Sequence, residues 1–343
     1  MNTVPLKITV VGAGAIGGVT AGFLAREGYN VEIVCKYDDL AEKIREQGIH
    51  VFGVRGDFTV TMPAFAQVSQ LSGTRDIVLL ATKATDMMDA AKDLLPFMKD
   101  TTAVVSMQNG ICEEAIAEVV GRDRVVGCVV GWGGTMHGPG EVEMTSTGEF
   151  VIGNIDNRDD PGLVTIQKIL SSIVPVHTTE NMLGNLYSKL IINSCITSLG
   201  AVCGLFLGEM LSQRKIRNIF IQIMVEAMDV ADAMGLNVET YGGKLNYYTF
   251  IEGTGLLKRL KRHLIIRIIG FKYRRLKSSM LQSLERGKKT EIDYMNGYIC
   301  EQGRKSRIPT PVNDTVVRMI KEIEAGNRAI SRENFNDPFF NNF

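Results

Sequence analysis

The chain has 343 residues, 45% of them hydrophobic, which is material for about two domains with well-formed cores. Its 38 Lys and Arg balance 38 Asp and Glu, so no overall field draws it toward nucleic acid or an acidic partner, and every charge argument must be local. The six cysteines form no CxxC pair and the four histidines show no ligand spacing, so neither a metal site nor a disulfide framework is indicated; a reducing cytoplasm fits, and MNTVPLK has none of the character of a signal peptide.

In chain order, KITVV reads as a strand, followed by a helix to about Glu27, the strand YNVEIVC, a helix near 39–47, the strand DIVLLAT, a helix near 85–99 and the strand TAVVSM. Strands alternating with helices imply a parallel sheet covered by helices. Between Ile49 and Met62, and again between Glu141 and Gly153, extended segments with glycine and proline punctuation are expected to extend or edge that sheet. After about residue 180 strand signals fade and long helical patterns take over at Met182–Leu207, Ser212–Met234 and Pro311–Glu324. The expected fold is therefore α/β: a Rossmann-type dinucleotide-binding domain over 1–180, then an all-α domain over 181–325. The tail 326–343, ending NDPFFNNF, reads as a loosely docked strap.

Gly12, Ala13, Gly14, Ala15, Ile16 and Gly17 spell GAGAIG between the first strand and the first helix. In that setting the first glycine makes the tight turn, the second admits a pyrophosphate, and the third lets helix and strand approach, with the anion at the helix N-terminus. The plain alternative is an ordinary strand-to-helix turn. The second strand ends in Val34-Cys35-Lys36, where an NAD site usually presents an acid; a cation there suits a 2′-phosphate and hence NADP(H), although Asp38 and Asp39 stand close by and a solvated loop lysine is the ordinary reading. Lys83 follows DIVLLAT and Gln108-Asn109-Gly110 follows TAVVSM, both at carboxyl ends of strands, where open parallel sheets bind ligands. Singly, each also reads as a helix-flanking charge or a turn.

Leu190–Gly208 holds nineteen residues without a charge, yet Asn193, Ser194, Thr197, Ser198 and three glycines interrupt it, which weakens a membrane reading. On a helix Lys189, Asn193 and Thr197 share one face, a polar stripe on an otherwise buried element that needs internal partners or a ligand. Farther on, about 244–277 is strongly basic. From Leu256 to Lys277 there are nine Lys and Arg and no acid, with Leu256, Leu260, Leu264, Ile268 and Phe271 spaced as a helical apolar stripe. Such a helix would pack by its stripe, cap a cleft against an acidic substrate, or lie on an anionic membrane; packing is the plainest reading, and the cap is preferred to the membrane.

GAGAIG, Lys83, QNG at 108–110, Lys189-x-x-x-Asn193, SSMLQSLERGKKTEIDYMNG at 278–297 and TPVND at 310–314 together resemble the ketopantoate reductase (2-dehydropantoate 2-reductase) family over about residues 6–323. The resemblance implies NADPH-dependent reduction of a 2-oxo acid to a 2-hydroxy acid in pantothenate biosynthesis, in a cleft between a Rossmann domain and a helical domain. It implies that Lys83 and Asn109 contact the cofactor, that Lys189 protonates the substrate oxygen, and that Asn193, Ser279 and Glu291 hold the substrate, with Thr197 on the same face. A homodimer is left open. Without the family, Glu291 in Thr-Glu-Ile-Asp reads as a first-turn acid favouring a helix dipole.

This chain departs from the pattern at Thr197 and Leu207, where the family presents asparagines, and at Ser283, where it presents an aspartate; it is also longer and more basic over 244–277. The alternatives are therefore a reductase of a bulkier oxo acid, or a dinucleotide-sensing or membrane-peripheral protein without turnover. Lys189 discriminates, since a sensor has no need of an ammonium beside an asparagine.

Overall fold

The computed structural model describes residues 5–158, 160–253, 255–341 and 343. The chain divides into two compact units, Met1–Leu186 and Tyr187–Phe343.

In the first unit the elements run β1 (Ile8–Val11), α1 (Ala15–Arg26), β2 (Val31–Val34), α2 (Asp38–Glu46), β3 (Ile49–Gly53), β4 (Phe58–Val60), β5 (Ala64–Phe65), β6 (Arg75–Leu80) and α3 (Ala84–Leu94). They continue with β7 (Met98–Ser106), α4 (Glu113–Val120), β8 (Val125–Val130), β9 (Gly133–Gly138), β10 (Glu141–Ser146), β11 (Phe150–Asn154), α5 (Gly162–Leu170) and β12 (Val176–Thr178). The main sheet has the order β12-β11-β8-β7-β6-β1-β2-β5. It is parallel from β5 to β8, and β11 joins antiparallel to β8. β1, β2 and β6 are apolar runs buried on both faces, as a sheet sandwiched by helices requires. Two buried ionisable residues interrupt them near their starts, and these answer each other: the fully buried Arg75 guanidinium donates to Glu32, which also accepts from Thr9 Oγ1 at 2.7 Å.

The segments expected to edge this sheet mostly do not. β3, β4, β9 and β10 form a separate four-stranded sheet of order β4-β3-β10-β9, and of the expected additions only β11 joins the main one. The cause lies in α1. A Cβ on Gly18 would come within 3.0 Å of Ile49 and Val142, and one on Gly22 within 2.5 Å of Val51, so this glycine-lined face admits a second sheet.

The second unit continues α6 (Met182–Cys203), which begins just before the boundary, with α7 (Leu207–Ser212), α8 (Arg214–Ala233), α9 (Tyr247–Ile251), α10 (Leu256–Lys272), α11 (Ser279–Glu285), α12 (Asn296–Ser306) and α13 (Pro311–Glu324). α6 stops short of Leu207 because Gly204 turns left-handed, at φ +71°. Among the described residues α6 is the one helix long and apolar enough to cross a membrane, but 83% of its apolar window is buried in the chain. It is a core helix: Tyr187 donates its hydroxyl to the Ala227 carbonyl at 2.8 Å, and Tyr247 donates to Ser188 at 2.6 Å.

Two expectations fail here. The tail is not loosely docked: Phe335 and Phe340 are buried, and Asn334 Nδ2 donates to the Val202 carbonyl at 3.0 Å. Nor does α10 pack by its apolar stripe. Ile266 and Gly270 face inward, Gly270 so close to α7 that a Cβ would meet Leu211 at 2.8 Å, while the stripe faces solvent.

Candidate functional site

The parallel register places Val34, Val11, Leu80 and Ser106 in one cross-strand row at the carboxyl ends of β2, β1, β6 and β7. Hydrogen bonds carry the row one residue beyond the strands: Gly12 N–H donates to Val34 O, Ala81 N–H to Val11 O and Met107 N–H to Leu80 O, at 2.8–3.0 Å. Whatever follows these strands therefore emerges on one edge, and strand order reverses there, since the chain crosses from β1 to β2 on one side and from β6 to β7 on the other. GAGAIG, Lys36, Lys83 and Asn109 all leave from this edge.

The loop has the three-glycine geometry. Gly12 stands at φ +109°, with its missing Cβ 2.7 Å from the Ala81–Thr82 backbone; at Gly17 a Cβ would lie 1.9 Å from Gly12 O. At Gly14, the residue before α1, a Cβ would meet nothing within 4 Å. Two glycines are thus required by the fold, and the third leaves open space at the positive end of a twelve-residue helix, which suits a pyrophosphate. Ala13 is buried beneath the loop, and Ala15 and Ile16 open the helix half-exposed.

Lys36 is exposed, and its Nζ lies 3.1 Å from Asp86 Oδ2 in the first turn of α3. Asp38 and Asp39 occupy the first turn of α2, where they favour its dipole, and Asp39 accepts from Leu40 N–H at 2.9 Å. Burial pushes the neighbouring Cys35 thiol up to about 12, opposed by Arg45, so it stays neutral beside Lys36. Lys83 is exposed immediately before α3, and Asn109 is half-buried. Gln108 is buried; its Oε1 accepts from Ser106 Oγ at 2.9 Å and its Nε2 donates to Thr82 Oγ1 at 3.3 Å, which ties the loop after β7 to the loop after β6. Asp86 and Thr82 were not legible as site residues, because both act across gaps of more than twenty residues.

In the second unit, α6 is buried along most of its length but carries a half-exposed line at Asn185, Lys189, Asn193 and Ile196. Lys189 and Asn193 lie on it as their spacing requires. Thr197 is buried, with its hydroxyl donating to Asn193 O at 2.7 Å and lying 3.4 Å from Met295 Sδ. Ser279 is the exposed first residue of α11; the residue before it, Ser278, caps the helix by accepting from Leu281 N–H at 3.0 Å. Glu291 is half-buried after Thr290, whose N–H and hydroxyl both donate to Glu324 at 2.7 Å.

YMNG and TPVND prove to be scaffold for α6. Buried Glu226 of α8 accepts the Val312 and Asn313 N–H groups at 2.9 and 3.0 Å and Asn313 Nδ2 at 2.8 Å, capping α13 from outside. Asn296 Nδ2 then donates to Asn313 Oδ1 at 2.9 Å and to Ser194 O, beside Asn193, at 3.2 Å. Burial raises the Glu226 carboxyl above its ordinary value, against the pull of those donors.

Comparison with known proteins agrees with both units. The family described as ketopantoate reductase PanE/ApbA matches residues 8–157, and its C-terminal counterpart matches residues 181–324. The 2-dehydropantoate 2-reductase of Pyrococcus abyssi is 28% identical over 93% of this chain and 98% of its own length, and that of Aquifex aeolicus is 26% identical over 94% and 98%. The crystal structure of a PanE/ApbA family ketopantoate reductase from Ralstonia eutropha JMP134 superposes with a TM-score of 0.80 at 28% identity, covering 94% of this chain and all of that one. D-mandelate dehydrogenase, solved with NADH and anilino(oxo)acetate, shares the fold at a TM-score of 0.80 and 22% identity, over 94% of this chain and all of its own. With both family regions matched in order and covering most of its length, this chain belongs to the ketopantoate reductase family.

Proposed function

We propose that the chain reduces a 2-oxo acid to the 2-hydroxy acid with NADPH, and that the pair it turns over is 2-dehydropantoate (ketopantoate) and pantoate. The observation that carries this reading is the open line on α6, where a lysine and an asparagine one turn apart are half-exposed on a helix otherwise given to the core. The relatives named 2-dehydropantoate 2-reductase support it over nearly the whole chain.

NADPH, when bound, supplies the hydride. The helix end at Gly14 and the backbone N–H groups that follow would hold the pyrophosphate, Lys36 would meet the 2′-phosphate, and Lys83 and Asn109 would contact the cofactor from the neighbouring strand ends. As the substrate carbonyl carbon gains hydride its oxygen becomes an alkoxide; the Lys189 ammonium stabilises that charge and gives up a proton to it. Asn193, Ser279 and Glu291 orient the substrate. Thr197 contributes through Asn193, whose carbonyl its hydroxyl holds.

A bulkier 2-oxo acid is the second reading. Thr197, Leu207 and Ser283 are buried, and two of them turn their hydroxyls back to their own helices, so they offer less polar reach than the family's asparagines and aspartate. An NADPH-oxidation screen over aliphatic and aromatic 2-oxo acids tests both readings. Ketopantoate should give the highest kcat/KM; a higher value for a larger acid selects the second reading, and no oxidation with any of them rejects both.

A further inference from the structure

We propose that α10 docks the protein on anionic lipid bilayers, its apolar stripe entering the headgroup boundary and its cations meeting lipid phosphates. Leu256, Leu257, Leu260, Leu264, Ile268 and Phe271 are each at least 54% exposed, on the solvent side of a helix that Ile266 and Gly270 seat on the rest of the second unit. Six large apolar side chains on one face of a helix about 25 Å long make a contiguous patch. The helical positions of Lys258, Lys261 and Lys272 lie along one side of that stripe, and that of Arg267 falls within it, between Leu256 and Leu260.

Charge identifies the occupant. The segment 256–277 carries nine Lys and Arg and no acid. Among the described residues Lys261, Arg267, Lys272, Arg274 and Arg275 have no carboxylate partner, while Lys258 pairs with Glu252 and Lys277 with Glu285. Burial, and after it Arg217 and Arg214 of α8 and Arg259 and Arg262 of α10, hold His263, on the inward side, below its ordinary value. At the C-terminal end of the stripe, Phe271 borders a recess of about 780 Å³ whose walls include Phe206, Arg267, Arg274 and Arg275, with Glu209 the one acid among the described residues that line it. An apolar stripe flanked by long cationic side chains, with an arginine-lined recess beside it, fits acyl chains below and phosphates alongside. A second copy of the chain fits worse, because a two-fold contact through this stripe would set like charges against each other.

Flotation of the full chain with large unilamellar vesicles tests this. Vesicles of phosphatidylcholine with about 30 mol% phosphatidylglycerol should bind at least about tenfold more tightly than phosphatidylcholine alone, and about 0.5 M salt should weaken that binding. Leu260→Asp with Leu264→Asp should abolish flotation, and Lys261→Glu with Lys272→Glu should reduce it, both with unchanged circular dichroism and melting. Failure to float with anionic vesicles, equal binding to both compositions, or retained binding by the Leu260→Asp, Leu264→Asp variant would overturn the proposal. So would a dimer by light scattering that this variant splits in the absence of any flotation, since the stripe would then be a self-association surface.

Discussion

Lys36, at the end of β2, holds Asp86 of α3 at 3.1 Å, and both side chains are about half exposed or more. An exposed pair of this kind contributes at most about 1 kcal/mol, less than a charge-assisted contact to phosphate at roughly 1.5–3 kcal/mol. The 2′-phosphate of NADPH should therefore displace the carboxylate. Lys36→Ala is expected to weaken NADPH about ten- to a hundredfold and NADH little, whereas Asp86→Asn should tighten NADPH a few-fold. Fluorescence titration of both cofactors measures this, and unchanged preference in Lys36→Ala would remove the NADP assignment.

Gly14 and Gly17 should fail in different ways. Gly17→Ala drives a Cβ into the Gly12 carbonyl and should lower the melting temperature markedly. Gly14→Ala meets nothing in the free protein and keeps an allowed φ of −75°, so it should melt normally yet bind NADPH about tenfold or more weakly. Normal cofactor binding by Gly14→Ala would mean that the pyrophosphate lies elsewhere.

Lys189→Ala should lower turnover by about 10² to 10⁴ while leaving NADPH binding nearly intact. Asn193→Ala and Glu291→Ala should act more on KM. Wild-type turnover in Lys189→Ala, measured on the best 2-oxo acid, would end its role as the acid.

Glu226→Ala leaves three donors around α13 without their acceptor and should destabilise the chain by about 2–4 kcal/mol in denaturant titrations. Glu301→Ala, which breaks only an exposed pair with Lys305, should cost less than about 0.5 kcal/mol. Equal effects would show that the cap on α13 carries no special weight.

How much could be read in advance depended on whether a constraint was local. Gly17 meets the Gly12 carbonyl five residues away, so the spacing of the loop carries that contact, whereas the close approach of Gly12 to Ala81 and Thr82 is long-range. Lys83 and Asn109 follow strands whose shared edge is fixed by parallel pairing. The Lys36–Asp86 pair spans fifty residues and leaves no local trace. The second sheet was missed because alternating apolar residues suit any sheet, and its one signal was a pair of glycines, Gly18 and Gly22, on a helix. The period of α10 was plain, but a stripe has the same period whether it faces inward or outward; Gly270 on the opposite face was the clue to which side is buried. YMNG and TPVND were visible as a pattern, while their support of α6 depends on Glu226, far from either motif.

The helix behind the phosphate loop has a consequence for synthesis. One face of α1 is covered by the main sheet, and the glycine face by strands from residues 49–60 and 133–146. A nascent chain that has reached Gly131 already contains GAGAIG, Lys36, Lys83 and Asn109, yet Val142, which closes over Gly18, has not been made. Until the ribosome passes Ser146 that side of α1 is exposed to chaperones and proteases, so the glycine loop is written early and its helix finished late.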